Sequence, residues 1–145
     1  MTKVIFIFAF FAAGILICGC SSSTSETNFT FGLGKYKFLM SDSSGTKLAE
    51  GTLNVKTYAN NKISGTYVFN KVYDDNFPGY SSMGGEFEGD VNSVEKFVFI
   101  NTNPKIADSN VFWRMRIRKD GLSGGWNYSV FRGETSGGLV KVTKQ

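Results

Sequence analysis

Residues 111–130 read VFWRMRIRKDGLSGGWNYSV, and this stretch decides the fold class. Apolar and charged residues alternate from Val111 to Lys119, as in a strand with one buried and one solvent-facing side. Asp120-Gly121 is a strong signal for a two-residue hairpin turn. A second alternating run follows, and one of its sides carries Leu122, Gly124, Trp126, Tyr128 and Val130. The stretch therefore predicts an antiparallel β-hairpin.

The same alternation, interrupted by turn residues, extends over most of the chain, and no segment has a helical period. The predicted strands lie near residues 34–41, 47–58, 62–73, 82–92, 95–101, 111–119, 122–132 and 138–144. About eight sequential strands predict an all-β fold, an antiparallel up-and-down meander that closes into a barrel because closure removes exposed edges. A jelly roll or open sandwich is the alternative, with crossing connections near 74–81 and 102–110.

The N-terminus differs in composition from the rest of the chain. Lys3 is followed by an apolar run from Val4 to Ile17, which is too short to span a bilayer as a helix and is typical of a signal peptide. The run ends in Ile17-Cys18-Gly19-Cys20, which resembles the lipobox of bacterial lipoproteins. The resemblance implies that residues 1–19 are a cleaved signal peptide and that acyl chains on Cys20 anchor the protein in the membrane.

This resemblance also implies the domain organisation and the location. Residues 20–31 would form the lipidated cysteine and a flexible polar tether, and residues 32–145 a single β-barrel domain. Ser21, directly after the cysteine, resembles the outer-membrane sorting pattern, so we expect an outer-membrane lipoprotein if the cell is Gram-negative. The alternatives are a secreted protein without lipid and an uncleaved N-terminal anchor.

The amino-acid composition excludes several kinds of catalytic and metal-binding site. The chain has no histidine, and both of its cysteines lie at the lipobox. A Ser-His-Asp triad, a Cys-His pair and a histidine-ligated zinc site are therefore excluded. We expect a protein that is not an enzyme and has no cofactor and no metal site. The net charge of +4 is small and dispersed, which does not favour nucleic acid as a partner.

A short glycine–aromatic pattern recurs in residues 63–67 (ISGTY) and 122–126 (LSGGW). Glycine at such a strand position leaves room for a neighbouring ring or lets the strand bend. This layout resembles calycin-like barrels, the lipocalin- and avidin-like families. Gly34-Lys35-Tyr36 falls where those families carry Gly-x-Trp, with tyrosine in place of tryptophan. Because the polar residues that avidins use for biotin are not identifiable, biotin binding is not expected.

Aromatic residues on the inward sides of the strands supply a candidate ligand site. Such rings can line a cavity for a small apolar ligand, or they can fill the barrel as an ordinary packed core. The candidate ligand-binding residues are Tyr36, Tyr67, Trp113, Trp126 and Tyr128.

Two further surfaces can be considered. The loop at 74–81 combines acids with aromatic residues, and we expect it to contact a protein through Phe77 and Tyr80. Arg114, Arg116 and Arg118 share an outward side and could bind an anion, but a solvated face is the simpler interpretation. The acids of residues 86–90 also alternate on one side and are interpreted as surface.

Together these patterns predict a lipid-anchored, non-enzymatic β-barrel of the cell envelope that binds a small ligand or a protein partner. Ser123, Gly124 and Tyr128 are similar to a Ser-Gly-x-x-x-Tyr motif of bacterial lysozyme inhibitors, a group that includes lipid-anchored small barrels. A lysozyme-inhibitor-like protein is therefore one alternative. A structural accessory lipoprotein without a ligand is the other.

Overall fold

The computed structural model describes residues 29–74, 77 and 83–145. Its strands are β1 (Gly34–Asp42), β2 (Lys47–Ala59), β3 (Lys62–Val72), β4 (Gly84–Asn92), β5 (Phe97–Asn101), β6 (Ser109–Arg118), β7 (Gly121–Val130) and β8 (Gly133–Lys144). Each strand pairs antiparallel with the next, and β8 pairs with β1, so the sheet is a closed barrel. The predicted up-and-down barrel is confirmed, and the jelly-roll alternative is wrong.

Alternation along the strands explains which side chains fill the interior. In β6, Val111, Trp113 and Met115 are buried, whereas Arg114 and Arg116 are exposed. Burying a large apolar side chain of this kind contributes about 1.5–3 kcal/mol relative to leaving it in water. The other strands contribute inward apolar residues to the same continuous core.

The two ends of the barrel are built differently. One end, called the turn end below, consists of the short connections 60–61, 93–96 and 119–120 together with the segment that begins at Phe29. The other, called the loop end, consists of connections 43–46, 73–83, 102–108 and 131–132. The C-terminus also lies at the turn end, where the Gln145 N–H donates a hydrogen bond of 3.1 Å to the Lys35 carbonyl.

The two-residue connection between β2 and β3, at the turn end, has a backbone conformation that suits its asparagines. Asn60 and Asn61 have φ angles of 51° and 63°, the left-handed region that asparagine tolerates better than most residues. Two consecutive residues of this kind match the twist of an antiparallel pair. The β2–β3 hairpin is therefore fixed by local chemistry.

The recurring glycines lie where the strands and rings approach closely. A Cβ atom added at Gly65 would overlap the Asn54 carbonyl oxygen and come within 2.9 Å of the Phe87 ring. At Gly124 an added Cβ would overlap the Arg114 carbonyl oxygen. The expectation of room for a neighbouring ring is therefore confirmed at Gly65, whereas at Gly124 the close approach is made by the β6 backbone.

A phenylalanine lies across each end of the core. At the turn end, the buried Phe31 ring packs on Tyr36 with 5.0 Å between ring centroids. At the loop end, the buried Phe77 ring packs edge-to-face on Trp126 and Phe69, at 5.3 and 6.1 Å. The packed part of the chain thus includes Phe31, which the sequence assigned to the tether.

Candidate functional site

Tyr36 and Trp113, two of the predicted ligand-binding residues, are completely enclosed by protein. Trp113 has 0 % of its surface exposed, so no space large enough for a water molecule adjoins it. Its ring packs on Phe38 at 5.1 Å between centroids. The Tyr36 hydroxyl accepts a hydrogen bond from the Gly32 N–H at 3.0 Å and donates one to the Gly32 carbonyl at 2.9 Å. Both side chains act as core.

The other three predicted ligand residues lie on the loop-end side of the interior. The Trp126 indole N–H donates a 2.8 Å hydrogen bond to the Ser41 carbonyl, which ties β7 to the end of β1. The Tyr67 ring packs against Phe69, and burial raises the pKa of its hydroxyl to about 12. Tyr128 is half-buried, with its hydroxyl 3.2 Å from the Ser109 hydroxyl.

These five aromatic residues therefore extend along the barrel axis and do not surround one void. Tyr36 lies beneath Phe31 at the turn end, and Tyr128 lies near the opposite end of the barrel. The contacts described above join these rings to other rings or to backbone and hydroxyl groups of the barrel itself. This arrangement favours the packed-core interpretation over a ligand cavity at these residues.

Of the predicted protein-contact loop, residues 74–81, the structure describes only Asp74 and Phe77. Tyr80 lies outside the described residues. The Phe77 ring points into the barrel mouth rather than into solvent, and the Phe77 N–H donates a 3.0 Å hydrogen bond to the Asp74 carbonyl. A contact role for this loop stays a prediction, and in the structure Phe77 packs against core residues.

The arginine row lies on the outer wall, as the alternation predicted. Arg114 donates a 3.0 Å hydrogen bond to the Asn127 side chain, and its guanidinium lies 5.8 Å from the centre of the Phe99 ring. Phe99 itself stacks on Phe112 at 5.5 Å. Arg114 thus belongs to an aromatic and polar cluster on the wall, whereas Arg118 lies at the turn end.

The acidic row on β4 is separated from the arginines by β5 and pairs with lysines instead. Glu86 forms a 2.6 Å ion pair with Lys105, which lowers the pKa of Glu86 through its hydrogen bond and its charge. Asp90 pairs with Lys62. Within the described ranges, no group of three or more acidic or cysteine side chains is placed to hold a metal ion.

Two exposed apolar side chains at the loop end were not singled out by the sequence. Phe131, in the two-residue β7–β8 connection, is 94 % exposed, and Ile106, in the β5–β6 connection, is 44 % exposed. Residues 122–132 were predicted to form one strand, so Phe131 was not expected in a turn. Gly133, two residues after Phe131 and with a φ of 112°, was the available indication of a turn.

The loop that carries Ile106 is held by its own hydrogen bonds. The Asn110 amide donates to the Ile106 carbonyl at 2.8 Å, and the Asn103 amide donates to the Ser109 carbonyl at the same distance. The Thr102 hydroxyl, which is buried, donates to the Val111 carbonyl at 3.0 Å. Ile106 is therefore presented on an ordered connection.

The residues that are similar to the lysozyme-inhibitor motif all lie on β7. Ser123 pairs with Arg116 near the turn end, and Tyr128 pairs with Val111 nearer the loop end. Ser123 and Tyr128 are both half-buried in the barrel wall. An inhibitor role stays a prediction.

The predicted lipidation site, Cys20, lies outside the described residues. Among the residues that the structure describes, no helix has the length and the apolar character needed to cross a membrane. Comparison of the chain with models of known protein families, with curated proteins and with solved structures finds no match.

Proposed function

We propose that this protein is a lipid-anchored lipoprotein of the cell envelope that binds a protein partner with the loop end of its barrel. The observation that carries the proposal is the difference between the two ends. The chain enters the barrel at the turn end, directly after the segment that resembles a lipoprotein tether. The long connections and the exposed Phe131 and Ile106 lie at the opposite end, away from the anchor.

A protein partner fits this arrangement better than an internal small ligand. Exposed aromatic and aliphatic side chains on ordered loops are typical anchors of protein interfaces. The interior offers less space for a ligand, because Tyr36 already packs on Phe31 and Trp113 on Phe38. An internal ligand would have to displace well-packed rings, and each displaced ring would cost several kcal/mol.

The anchor is tested by metabolic labelling with radioactive palmitate in the native host. We expect label in the wild-type protein and none in Cys20→Ser, with Ser21→Ala as the labelled control. A labelled Cys20→Ser variant contradicts the lipoprotein assignment.

The loop-end contact is tested with a photo-crosslinking amino acid placed at Phe131 or Ile106 in the acylated protein in cells. Lys37, which is exposed on the wall of the barrel, is the matched control position. We expect a discrete protein adduct from positions 131 and 106 and none from position 37. Purified lysozyme added to the protein in vitro tests the inhibitor-like alternative. Equal adducts from all three positions, or adducts from the wall alone, contradict the proposal.

A further inference from the structure

The turn end has a groove that none of the roles above uses. It has a volume of about 670 Å³ and opens between the N-terminal segment and the β4–β5 and β6–β7 turns. Phe31, Val91 and Ile117 contribute apolar surface to it, and Lys96 and Arg118 contribute exposed cationic side chains. It therefore combines apolar walls with positive charge, which suits an anionic group attached to an apolar body.

The backbone brings these two cations together. Lys96 has a φ of 53°, and its carbonyl accepts a 2.8 Å hydrogen bond from the Ile117 N–H. This bond holds the β4–β5 turn against the last residues of β6, so Lys96 lies beside the residue that precedes Arg118. The pair is thus a product of the fold and not of two independent flexible segments.

Acids at the same end are mainly engaged by other lysines. Asp90 pairs with Lys62, and Asp120 pairs with Lys141 at 3.2 Å, which lowers the pKa of Asp120. Glu95 is the remaining acid of the turns at this end. Lys35, Lys119 and Lys144 add further positive charge here. The turn end as a whole is therefore basic.

An exposed apolar residue extends from this basic end. Val94, in the β4–β5 turn two residues before Lys96, is 94 % exposed. Basic residues around a protruding apolar side chain are the combination that binds the interface of an anionic bilayer, through charge attraction and burial of the apolar group.

We propose that the turn end docks on the anionic phospholipid headgroups of the membrane that holds the anchor. Headgroup phosphates contact Lys96 and Arg118 at the groove, and Val94 enters the interface. The inference rests on the proposed anchor at Cys20, because residues 21–28 can hold Phe29 at most about 30 Å from it. Because this is an upper limit, the tether lets the basic end come within the distance of about 8 Å over which the surface potential decays at physiological salt.

The test uses the acylated protein reconstituted into vesicles of phosphatidylcholine, with or without 30 mol % of phosphatidylglycerol (about one lipid in three, a typical anionic load). An environment-sensitive fluorescent amino acid replaces Val94 or, as the control, Phe131. We expect a blue shift at position 94 in the anionic vesicles alone, its loss in high salt, and no shift at position 131.

A matched pair of double variants separates position from net charge. Lys96→Gln with Arg118→Gln is expected to lower the ratio of docked to undocked protein about 25-fold, since each basic residue near an anionic surface contributes about fivefold. Lys71→Gln with Arg132→Gln removes the same charge from the loop end and is expected to leave docking unchanged.

The outcomes distinguish the inference from the anchor on which it rests. Association with both kinds of vesicle without a blue shift at position 94 overturns the docking and leaves the anchor intact. Failure to associate with either kind overturns both. A shift that is independent of phosphatidylglycerol but rises with protein density indicates a second copy on this surface, and it also overturns the inference.

Discussion

The turn end and the loop end both cover the hydrophobic core, but they do so with different segments of the chain. Each has a phenylalanine across the core, Phe31 at one and Phe77 at the other. At the turn end the phenylalanine belongs to the entering chain and is fixed by the bonds between Tyr36 and Gly32. At the loop end it belongs to the longest connection, between β3 and β4. A barrel end can therefore be covered by a fixed segment or by a loop.

The ends also differ in charge and in what they expose. The turn end presents Lys96, Arg118 and the protruding Val94, whereas the loop end presents Phe131 and Ile106. The β3–β4 and β5–β6 connections of the loop end are longer than any turn of the turn end, and long connections can be shaped around a partner. On the basis of this difference we propose that the turn end faces the membrane and that the loop end binds the protein partner.

The largest expected loss of stability comes from a substitution in the core, which lies between the two ends. Trp113→Ala removes a side chain with no exposed surface that packs on Phe38. We expect a loss of about 3–5 kcal/mol in the free energy of unfolding, from lost burial and the cavity left behind. Urea denaturation measures it. A loss below 1 kcal/mol would show that the interior is loosely packed and could hold a ligand.

The two covering phenylalanines are expected to respond unequally. Phe31→Ala is expected to lower the free energy of unfolding by about 3 kcal/mol, because the Phe31 ring is fixed on Tyr36. Phe77→Ala is expected to cost less, about 1–2 kcal/mol, since the long connection can open locally without unfolding the strands. Denaturation of both variants in parallel tests this, and an equal or larger cost for Phe77→Ala would contradict the comparison.

Removing single hydroxyl groups gives smaller effects. Tyr36→Phe loses both hydrogen bonds to Gly32 and leaves those half-buried backbone groups without that partner, which should lower the free energy of unfolding by about 1–2 kcal/mol. Tyr128→Phe, at the loop end, loses one contact with the Ser109 hydroxyl and should cost about 0.5 kcal/mol. Hydrogen exchange should also rise at residues 31–33 in Tyr36→Phe alone. Unchanged exchange there would show that Tyr36 does not fix the segment.

The effect that is smallest at neutral pH, where it is absent, comes from ionisation of the Tyr67 hydroxyl. The folded-state pKa of Tyr67 is raised from 10.0 to about 12 by burial. Between these values the unfolded chain loses the Tyr67 proton and the folded chain keeps it, so stability is full below pH 10 and falls as pH rises toward 12. Tyr67→Phe should flatten this part of the stability curve. Difference ultraviolet titration of the wild type against Tyr67→Phe should show a tyrosine that ionises near pH 12 in the wild type alone, and an ordinary pKa for Tyr67 would contradict its burial.

The local sequence pattern was sufficient to predict most of the strands. Alternation around Trp113 and Trp126 and the Asn60-Asn61 turn predicted the strands and their inward sides. The beginning of β8 was missed because residues 133–137 contain no apolar residue. They join the sheet through backbone pairing, as in Asn127 with Gly137. Side-chain alternation does not report such pairing.

The functional surfaces were harder to predict. Phe77 lies across the core through its contact with Trp126, a residue distant in sequence that a local pattern does not specify. Lys96 and Arg118 are brought together by the bond between Ile117 and the Lys96 carbonyl. Phe131 was not recognised because it fell within the predicted strand 122–132. The aromatic residues were identified correctly as inward, but whether inward rings pack or line a cavity depends on volumes that only the three-dimensional structure gives.

The most direct test of the account reverses the barrel relative to its anchor. Because both ends of the described chain lie at the turn end, they can be joined and the chain reopened elsewhere. A circular permutant opened between Asn60 and Asn61 keeps the anchor at the turn end, and one opened between Phe131 and Arg132 moves it to the loop end. Both should retain the barrel by circular dichroism. We predict that the crosslinked adduct from position 106 persists in the first permutant and disappears in the second, and an adduct of equal yield in both would contradict the account.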